Sequence, residues 1–341
     1  MPAPPLKLAV VGCGAIAERA HLPAAAGLEG LEVTALVDRD LGRAEELADR
    51  FGVRRVADDW ARLPERPDAA LVALPNHLHA PASLEILRRG VHVLVEKPMA
   101  LTAADCDEMI RAARRTGARL AVGMVRRFLP EVRTARAILD SGTLGPLVDC
   151  QVREGRVYDW PTRTEAAFRR RAAGGGVLVD NGVHALDTLL WWLGEVESLD
   201  YRDDAYGGVE ADCEIDLRFA SGVLGRVELS RTRNLGETAR VRGARATLEV
   251  DLLGCAVRLH GAPGAVAVEV EDVEGVEADP DIFRAQLSDF ARAIREEREP
   301  LVPGVEGRRS VALVEACYAC RQPLAHPWVA PDPTAGTSRC R

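Results

Sequence analysis

Five short runs of apolar residues recur through the first 125 residues, each parted from the next by a segment with helical spacing, and few folds accommodate that alternation. The runs are LKLAVVG, LEVTALVD, AALVAL, VHVLVE and RLAVGM. Between them lie AIAERAHLPAAAGL, GRAEELADRFG, APASLEILRRG and TAADCDEMIRAARRTG, with apolar positions near helical intervals and several glycine stops. Strands that are apolar throughout have no wet face, so they belong in a parallel sheet covered by helices on both sides.

The turn after the first run carries chemistry. Val10-Val11-Gly12-Cys13-Gly14-Ala15-Ile16-Ala17 fits G-x-G-x-x-G/A with Ala17 in third place. Gly12 permits the tight turn, Gly14 lets a pyrophosphate approach the backbone, and the helix opening at Ala15 and Ile16 offers unpaired N–H donors. Asp38 closes the second run 26 residues after Gly12, near the distance at which an acid meets adenosine ribose hydroxyls. A dinucleotide is therefore expected. A carboxylate at Asp38 repels a 2′-phosphate and favours NAD, while Arg39 next to it keeps NADP possible. Leu74, Pro75, Asn76 and His79 follow the third run and fall on the same carboxyl edge, where ligands of such sheets bind. A turn leading into a helix cap explains Asn76 equally well.

After Pro130 the pattern changes. One more helix, Glu131 to Asp140, ends at Ser141-Gly142, and strand-like segments follow: PLVDCQVREGRV, ADCEIDLRFA, GVLGRVELSRT, RATLEV and CAVRLH. Ile215, Leu217 and Phe219 alternate with Glu214, Asp216 and Arg218, as in an antiparallel strand with one wet face. The expected organisation is a dinucleotide-binding domain over 1–125, an α+β domain over 126–328 and a loose tail over 329–341. Two late amphipathic helices, one at about 306–322, are expected to pack back on the first domain.

Two further stretches point to proton chemistry. Of 44 basic residues only Lys7 and Lys97 are lysines, and Lys97 follows an apolar strand directly as Glu96-Lys97-Pro98. An ammonium can lose its proton under burial or beside another cation, whereas a guanidinium stays charged. In AAGGGVLVDNGVHALDTLLWWLG, a helix running from Val177 would put Asp180, His184, Asp187 and Trp191 on one face. Acids and an imidazole on an otherwise apolar helix do not make a solvated face. A buried histidine satisfied by a carboxylate one turn away is the bland alternative. A zinc site is the other, but no further His or Cys lies close by in sequence.

Composition narrows the classes. A formal charge of −8 argues against nucleic acid as a partner, because phosphate-backbone affinity rests on clustered cations. No stretch approaches the roughly 20 apolar residues that span a bilayer, and the N-terminus lacks a signal-like run, so a cytoplasmic location is expected. Eight scattered cysteines do not read as a disulfide framework, and Cys317-Tyr-Ala-Cys320 reads as packing thiols on a helix.

These pieces together resemble the glucose–fructose oxidoreductase and inositol dehydrogenase family of NAD(P)-dependent enzymes. The matching motifs are Gly12-x-Gly14 with Asp38, Pro75-Asn76-x-x-His79, Glu96-Lys97-Pro98, Val122-Gly123 through Arg127-Phe128-x-Pro130, and Gly174-Gly175-Gly176 through Asp180, Gly182, His184 and Asp187. The resemblance implies an α/β protein with an N-terminal Rossmann domain and a C-terminal α+β domain whose open, mostly antiparallel sheet serves homodimer or homotetramer contacts. It implies Lys97, Asp180 and His184 as catalytic residues beside the nicotinamide. It places Arg126, Arg153, Asn181 and Asp187, with Lys97 and His184, against a sugar, polyol or cyclitol, and Glu96 against Lys97 or the cofactor. His184 would be the general base, oriented by Asp180. An NAD-dependent redox-neutral glycosidase, a nucleotide-sugar ketoreductase and a non-catalytic sugar or dinucleotide sensor are the alternatives.

Overall fold

The computed structural model describes residues 4–62, 66–159, 165–205, 208–252, 256–261 and 280–324. The first layer is a six-stranded sheet of β1 (Leu6–Val11), β2 (Leu31–Val37), β3 (Arg55–Ala57), β4 (Ala69–Val72), β5 (His92–Val95) and β6 (Leu120–Val122). Its order is β3-β2-β1-β4-β5-β6 and every pairing is parallel. The order reverses between β1 and β4, which makes their carboxyl ends the switch point at which such sheets take ligands. Leu8, Val10, Val11, Leu71, Val72, Val93 and Val95 are fully buried or nearly so, as both-face coverage requires. The covering helices are α1 (Leu22–Ala26), α2 (Leu41–Phe51), α3 (His79–Arg88) and α4 (Ala103–Thr116). Asp40 caps α2 by accepting from Arg43 N, and Thr102 caps α4 by accepting from Asp105 N. The segment read as one helix after Gly14 is split: a π-turn over Ala17–His21 precedes α1.

The second layer begins with α5 (Pro130–Asp140), β7 (Leu147–Gly155), α6 (Arg170–Ala173) and α7 (Val183–Leu193), and continues through β8 (Val196–Asp203), β9 (Asp212–Phe219), β10 (Leu224–Ser230), β11 (Gly236–Gly243), β12 (Ala246–Asp251) and β13 (Ala256–Gly261). Helices α8 (Pro280–Arg295) and α9 (Gly304–Ala319) and strand β14 (Arg321–Pro323) complete the described chain. The sheet runs β13-β12-β11-β7-β10-β9-β8-β14, antiparallel except for β7–β10 and β8–β14. The fold class read from the sequence is thus the observed one. Strands β3, β8, β11 and β14 were not expected. β3 and β14 have three residues each, too few to show a period, and the charged GETARVRG of β11 hides its buried Ala239 and Val241.

One face of the second sheet is core: Val152, Tyr201, Ile215, Phe219, Val227, Leu229, Val241 and Leu248 are buried. The other carries ion pairs, among them Arg202 and Arg226 with Glu214 and Asp216, and Arg153 with Glu228. The late helices return to the first layer. A Cβ on Gly307 would lie 2.6 Å from Val122, and Arg308 Nε donates to Asp107 of α4 at 2.6 Å. The Phe283 ring of α8 stands edge-on to His21 at 4.9 Å. Among the described residues no helix is long and apolar enough to cross a membrane. The expected tail over 329–341 lies outside the described residues.

Candidate active site at the carboxyl edge of the parallel sheet

The glycine loop leaves β1 through Gly12, whose φ is +106° and where a Cβ would stand 2.3 Å from Ala73 O. No other residue fits there. Gly14 meets no atom within 4 Å of its would-be Cβ, so its outer side is open to a ligand. Asp38 Oδ2 accepts from Cys13 N at 2.7 Å and its Oδ1 from Asp40 N at 2.9 Å, which fixes the carboxylate beside the loop. Half-buried Ala15 and Ile16 start the helix, and Arg39 is exposed. An open loop, a helix start and a fixed acid are the parts that a dinucleotide's pyrophosphate and ribose require, so the residues present fit NAD.

The residues after β4 divide. Half-buried Leu74 and exposed Pro75 lie on the edge, and Asn76 Nδ2 donates to Ala173 O at 2.8 Å, tying the edge to the second layer. His79 does not face that edge. It is 1% exposed, its two ring nitrogens lie 2.7 Å from Pro98 O and Leu74 O, and burial holds its pKa below the usual range. The expectation that it holds cofactor gives way to a bracing role between two loops.

Glu96 is buried at the end of β5. Its Oε1 lies 2.7 Å from His21 Nε2, and its Oε2 accepts from Lys97 N at 3.0 Å. Burial alone would raise its pKa, yet His21 and Lys97 hold it below the usual carboxylate value. The carboxylate therefore orients the Lys97 backbone, and the Lys97–Pro98 bond is cis. The Lys97 ammonium crosses to the second layer and donates to Asp180 O at 2.9 Å and to Asp180 Oδ1 at 2.8 Å. Arg231 Nη2 donates to the other carboxylate oxygen at 2.7 Å. Burial opposes the charge on Asp180, but Lys97 and Arg231 outweigh it and hold the carboxyl well below its usual range.

Asp180 lies in a π-turn over Leu178–Gly182, half-buried Asn181 follows it, and His184 stands in the first turn of α7. The expected bond between Asp180 and His184 is not made. A π-turn closes over five residues rather than four, so residues 180 and 184 no longer stack, and such turns recur at functional sites. Buried His184 Nδ1 has no hydrogen-bond partner among the described residues. Burial, then Lys97 and Arg126, push the His184 pKa well below 6.5 despite Asp180.

Three residues expected against a substrate have other partners. Asp187 is 1% exposed, and its two oxygens accept from Arg127 Nη2 at 2.7 Å and Nε at 2.8 Å. It fastens α7 to the segment before α5, and that enclosure corrects the substrate role. Arg126 is paired with Glu154 at 2.5 and 2.9 Å, although it stays close enough to His184 to depress its pKa. Arg153 pairs with Glu228 at 3.1 Å on the ionic face of the sheet, away from the substrate role expected of it.

Other groups at the site carry no signal in the sequence. Glu210 is fully buried, and its Oε1 accepts from Gly176 N at 2.8 Å, Leu178 N at 3.1 Å and Tyr318 Oη at 2.7 Å. A carboxylate thus satisfies the free N–H groups where the Asp180 turn begins. The same close packing explains two glycines, since a Cβ on Gly176 would meet the backbone O of Glu210 at 1.9 Å and one on Gly175 would meet Tyr318 Oη at 1.8 Å. Arg231 was equally hidden among 42 arginines, 51 residues from Asp180.

A Rossmann layer with an open glycine loop, joined through a lysine–aspartate pair to an open mixed sheet, defines a two-domain dinucleotide-dependent oxidoreductase. The chain belongs to the GFO/IDH/MocA family: residues 6–124 match the oxidoreductase family with an NAD-binding Rossmann fold, and residues 132–249 match the GFO/IDH/MocA C-terminal domain. It is 32% identical over 220 residues to the D-glucoside 3-dehydrogenase of Escherichia coli K12, an alignment covering 62% of either chain. It is 30% identical to the dTDP-3,4-didehydro-2,6-dideoxy-alpha-D-glucose 3-reductase of Saccharopolyspora spinosa, over 93% of this chain and 98% of that one. The aldose-aldose oxidoreductase of Caulobacter crescentus, solved with glycerol, superposes with a TM-score of 0.82 at 28% identity, over 92% of this chain and 97% of that one.

Proposed function

We propose that the protein transfers a hydride between NAD and a secondary hydroxyl of a sugar, polyol or cyclitol. The observation that carries this reading is the Lys97 ammonium, brought from the end of β5 to within 2.8 Å of Asp180 and close to His184, at the edge where the glycine loop opens. When bound, NAD supplies the hydride acceptor. The chain's own residues manage the oxygen. Lys97, fixed by Asp180, donates a hydrogen bond to the substrate oxygen as negative charge develops there. His184 takes the hydroxyl proton, because its depressed pKa keeps the ring neutral at physiological pH. Asp180 serves the lysine in this scheme and not the imidazole.

His184→Ala is expected to lower turnover by roughly 10²–10⁴-fold while sparing NADH binding. Turnover is read from NADH formation and binding from fluorescence titration, and unchanged turnover would remove His184 from the scheme. The sign of the pH dependence follows from the depressed pKa. A base must be unprotonated, so the acid limb of kcat/KM falls well below 6.5 and activity is lost only as the pH drops through that lower value. Asp38 beside the loop supports NAD over NADP, and Asp38→Ala is expected to relax that preference.

The alignment over 98% of the dTDP-sugar reductase favours the reverse reaction on a ketosugar as a second reading, with protonated His184 then returning the proton while Lys97 again hydrogen-bonds the oxygen. Buried reduced thiols at all six described cysteines support a cytoplasmic location. The open second sheet supports a homodimer or homotetramer, which light scattering would resolve.

A further inference from the structure

The reacting centre continues outward through Arg231. Its guanidinium, bonded to Asp180 Oδ2 at 2.7 Å, lies 4.8 Å from the centroid of the Tyr158 ring. Tyr158 in turn meets Phe168 edge to face, with 5.5 Å between centroids. Tyr158 N donates to Arg231 O at 2.9 Å, so the segment leaving β7 runs along the segment leaving β10. Exposure rises along this path. The Arg231 side chain is 10% exposed, whereas Phe168 is 49% exposed and Val157 beside Tyr158 is 61% exposed. Ionic chemistry therefore gives way, within a few side chains, to a bare aromatic surface.

An exposed apolar side chain alone needs no explanation. Here, however, the guanidinium and the edge contact fix the orientation of Tyr158, and Phe168 extends it while remaining open. A rigid aromatic surface loses little freedom on binding, which suits it to a flat ligand. Sugars and aryl groups both present such a flat face, the sugar as C–H bonds with its hydroxyls at the rim.

We propose that Tyr158 and Phe168 form an aromatic subsite for a ring attached to the reacting sugar through a glycosidic bond, so that the substrate class is a glycoside with a flat, apolar-faced aglycone. This rests on the sugar-oxidoreductase reading above. The test compares three probes on the NAD-saturated protein: 4-nitrophenyl β-D-glucopyranoside, cellobiose and methyl β-D-glucopyranoside. Binding is measured by calorimetry and NADH formation is followed in parallel, for the wild type, Phe168→Ala and Phe168→Tyr, each checked for an unchanged melting temperature.

The wild type is expected to bind one of the ring-bearing probes about 2–10-fold more tightly than the methyl glycoside, the range an aromatic contact gives. Phe168→Ala should bring that ratio close to one, and Phe168→Tyr should keep it. The aryl and cellobiose arms separate an aryl aglycone from a second sugar. A ratio near one in the wild type, a ratio indifferent to Phe168→Ala, or no binding of any probe overturns the subsite. Binding that depends on Phe168 with no NADH formed supports the subsite and removes the redox reading. NADH formation with a ratio indifferent to Phe168 does the reverse.

Discussion

The two sheets serve one site in opposite ways. At the carboxyl edge of the parallel sheet the backbone makes the site: Gly12 turns at φ +106°, Gly14 leaves a side open, and Asp38 is pinned by two backbone N–H groups. In the second layer side chains make it. Arg231 reaches Asp180 from beyond β10, Arg127 clasps Asp187, and Glu210 holds the start of the Asp180 turn. A backbone site is local in sequence, whereas a side-chain site is assembled from segments that have no reason to be neighbours in the chain. The first layer should therefore tolerate side-chain changes that the second does not.

The largest effect is expected where a buried charge loses its partner. Asp187→Ala leaves the 2%-exposed Arg127 side chain with Glu306 at 2.9 Å as its remaining ion-pair partner among the described residues, and breaking such a pair costs about 3–5 kcal/mol. Urea unfolding should show that loss. If the loss appeared instead as a higher KM for substrate at unchanged stability, Asp187 would return to the binding role that its spacing suggested.

Glu210→Ala comes next, with about 2–3 kcal/mol, because it strands Gly176 N, Leu178 N and the Tyr318 hydroxyl together. Glu210→Gln keeps an acceptor oxygen and should recover most of the stability and of the turnover. An equal loss in both variants would mean that the charge, and not the acceptor, holds the turn.

The same contrast decides what could be read from the sequence. Glycine spacing, the apolar runs and Asp38 declared the parallel sheet and its ligand edge, since each rests on properties of a few adjacent residues. Lys97 was conspicuous because arginine replaces lysine almost everywhere else. The stripe along Asp180, His184 and Asp187 differs in detail from its sequence spacing: a regular helix stacks Asp180 on His184, but the π-turn over Leu178–Gly182 turns the carboxylate toward Lys97 and Arg231. Nothing local announces a π-turn. Glu210, Tyr318 and Arg231 were illegible because long loops and sheet order, set by the whole core, bring them in.

A smaller effect sharpens the first half of the contrast. Gly14→Ala adds a methyl group that touches nothing within 4 Å, so thermal stability without nucleotide should not change. That methyl occupies the side on which a pyrophosphate would approach, and NADH affinity should fall roughly tenfold, or about 1.4 kcal/mol. A fall in melting temperature without an affinity change would place the glycine among structural turns.

The smallest effect tests whether acids in the second layer need partners as strictly as Glu210 suggests. Glu131, in the first turn of α5, is fully buried, and among the described residues its carboxyl has no hydrogen-bond partner beyond its own backbone amide. Burial, reinforced by Asp251, raises its pKa above 4.5. The unfolded chain therefore gives up this proton at lower pH than the folded one, and stability declines as the pH rises from the usual glutamate range through the raised value. Below that range both forms are protonated and the penalty vanishes. Glu131→Gln, which cannot ionise, should flatten the decline and be the more stable protein at neutral pH. Urea midpoints for both proteins in acid and at neutral pH would show it. A glutamine variant that declines in parallel with the wild type would mean that Glu131 finds a partner when ionised, and that the second layer holds one more side-chain contact than the structure displays.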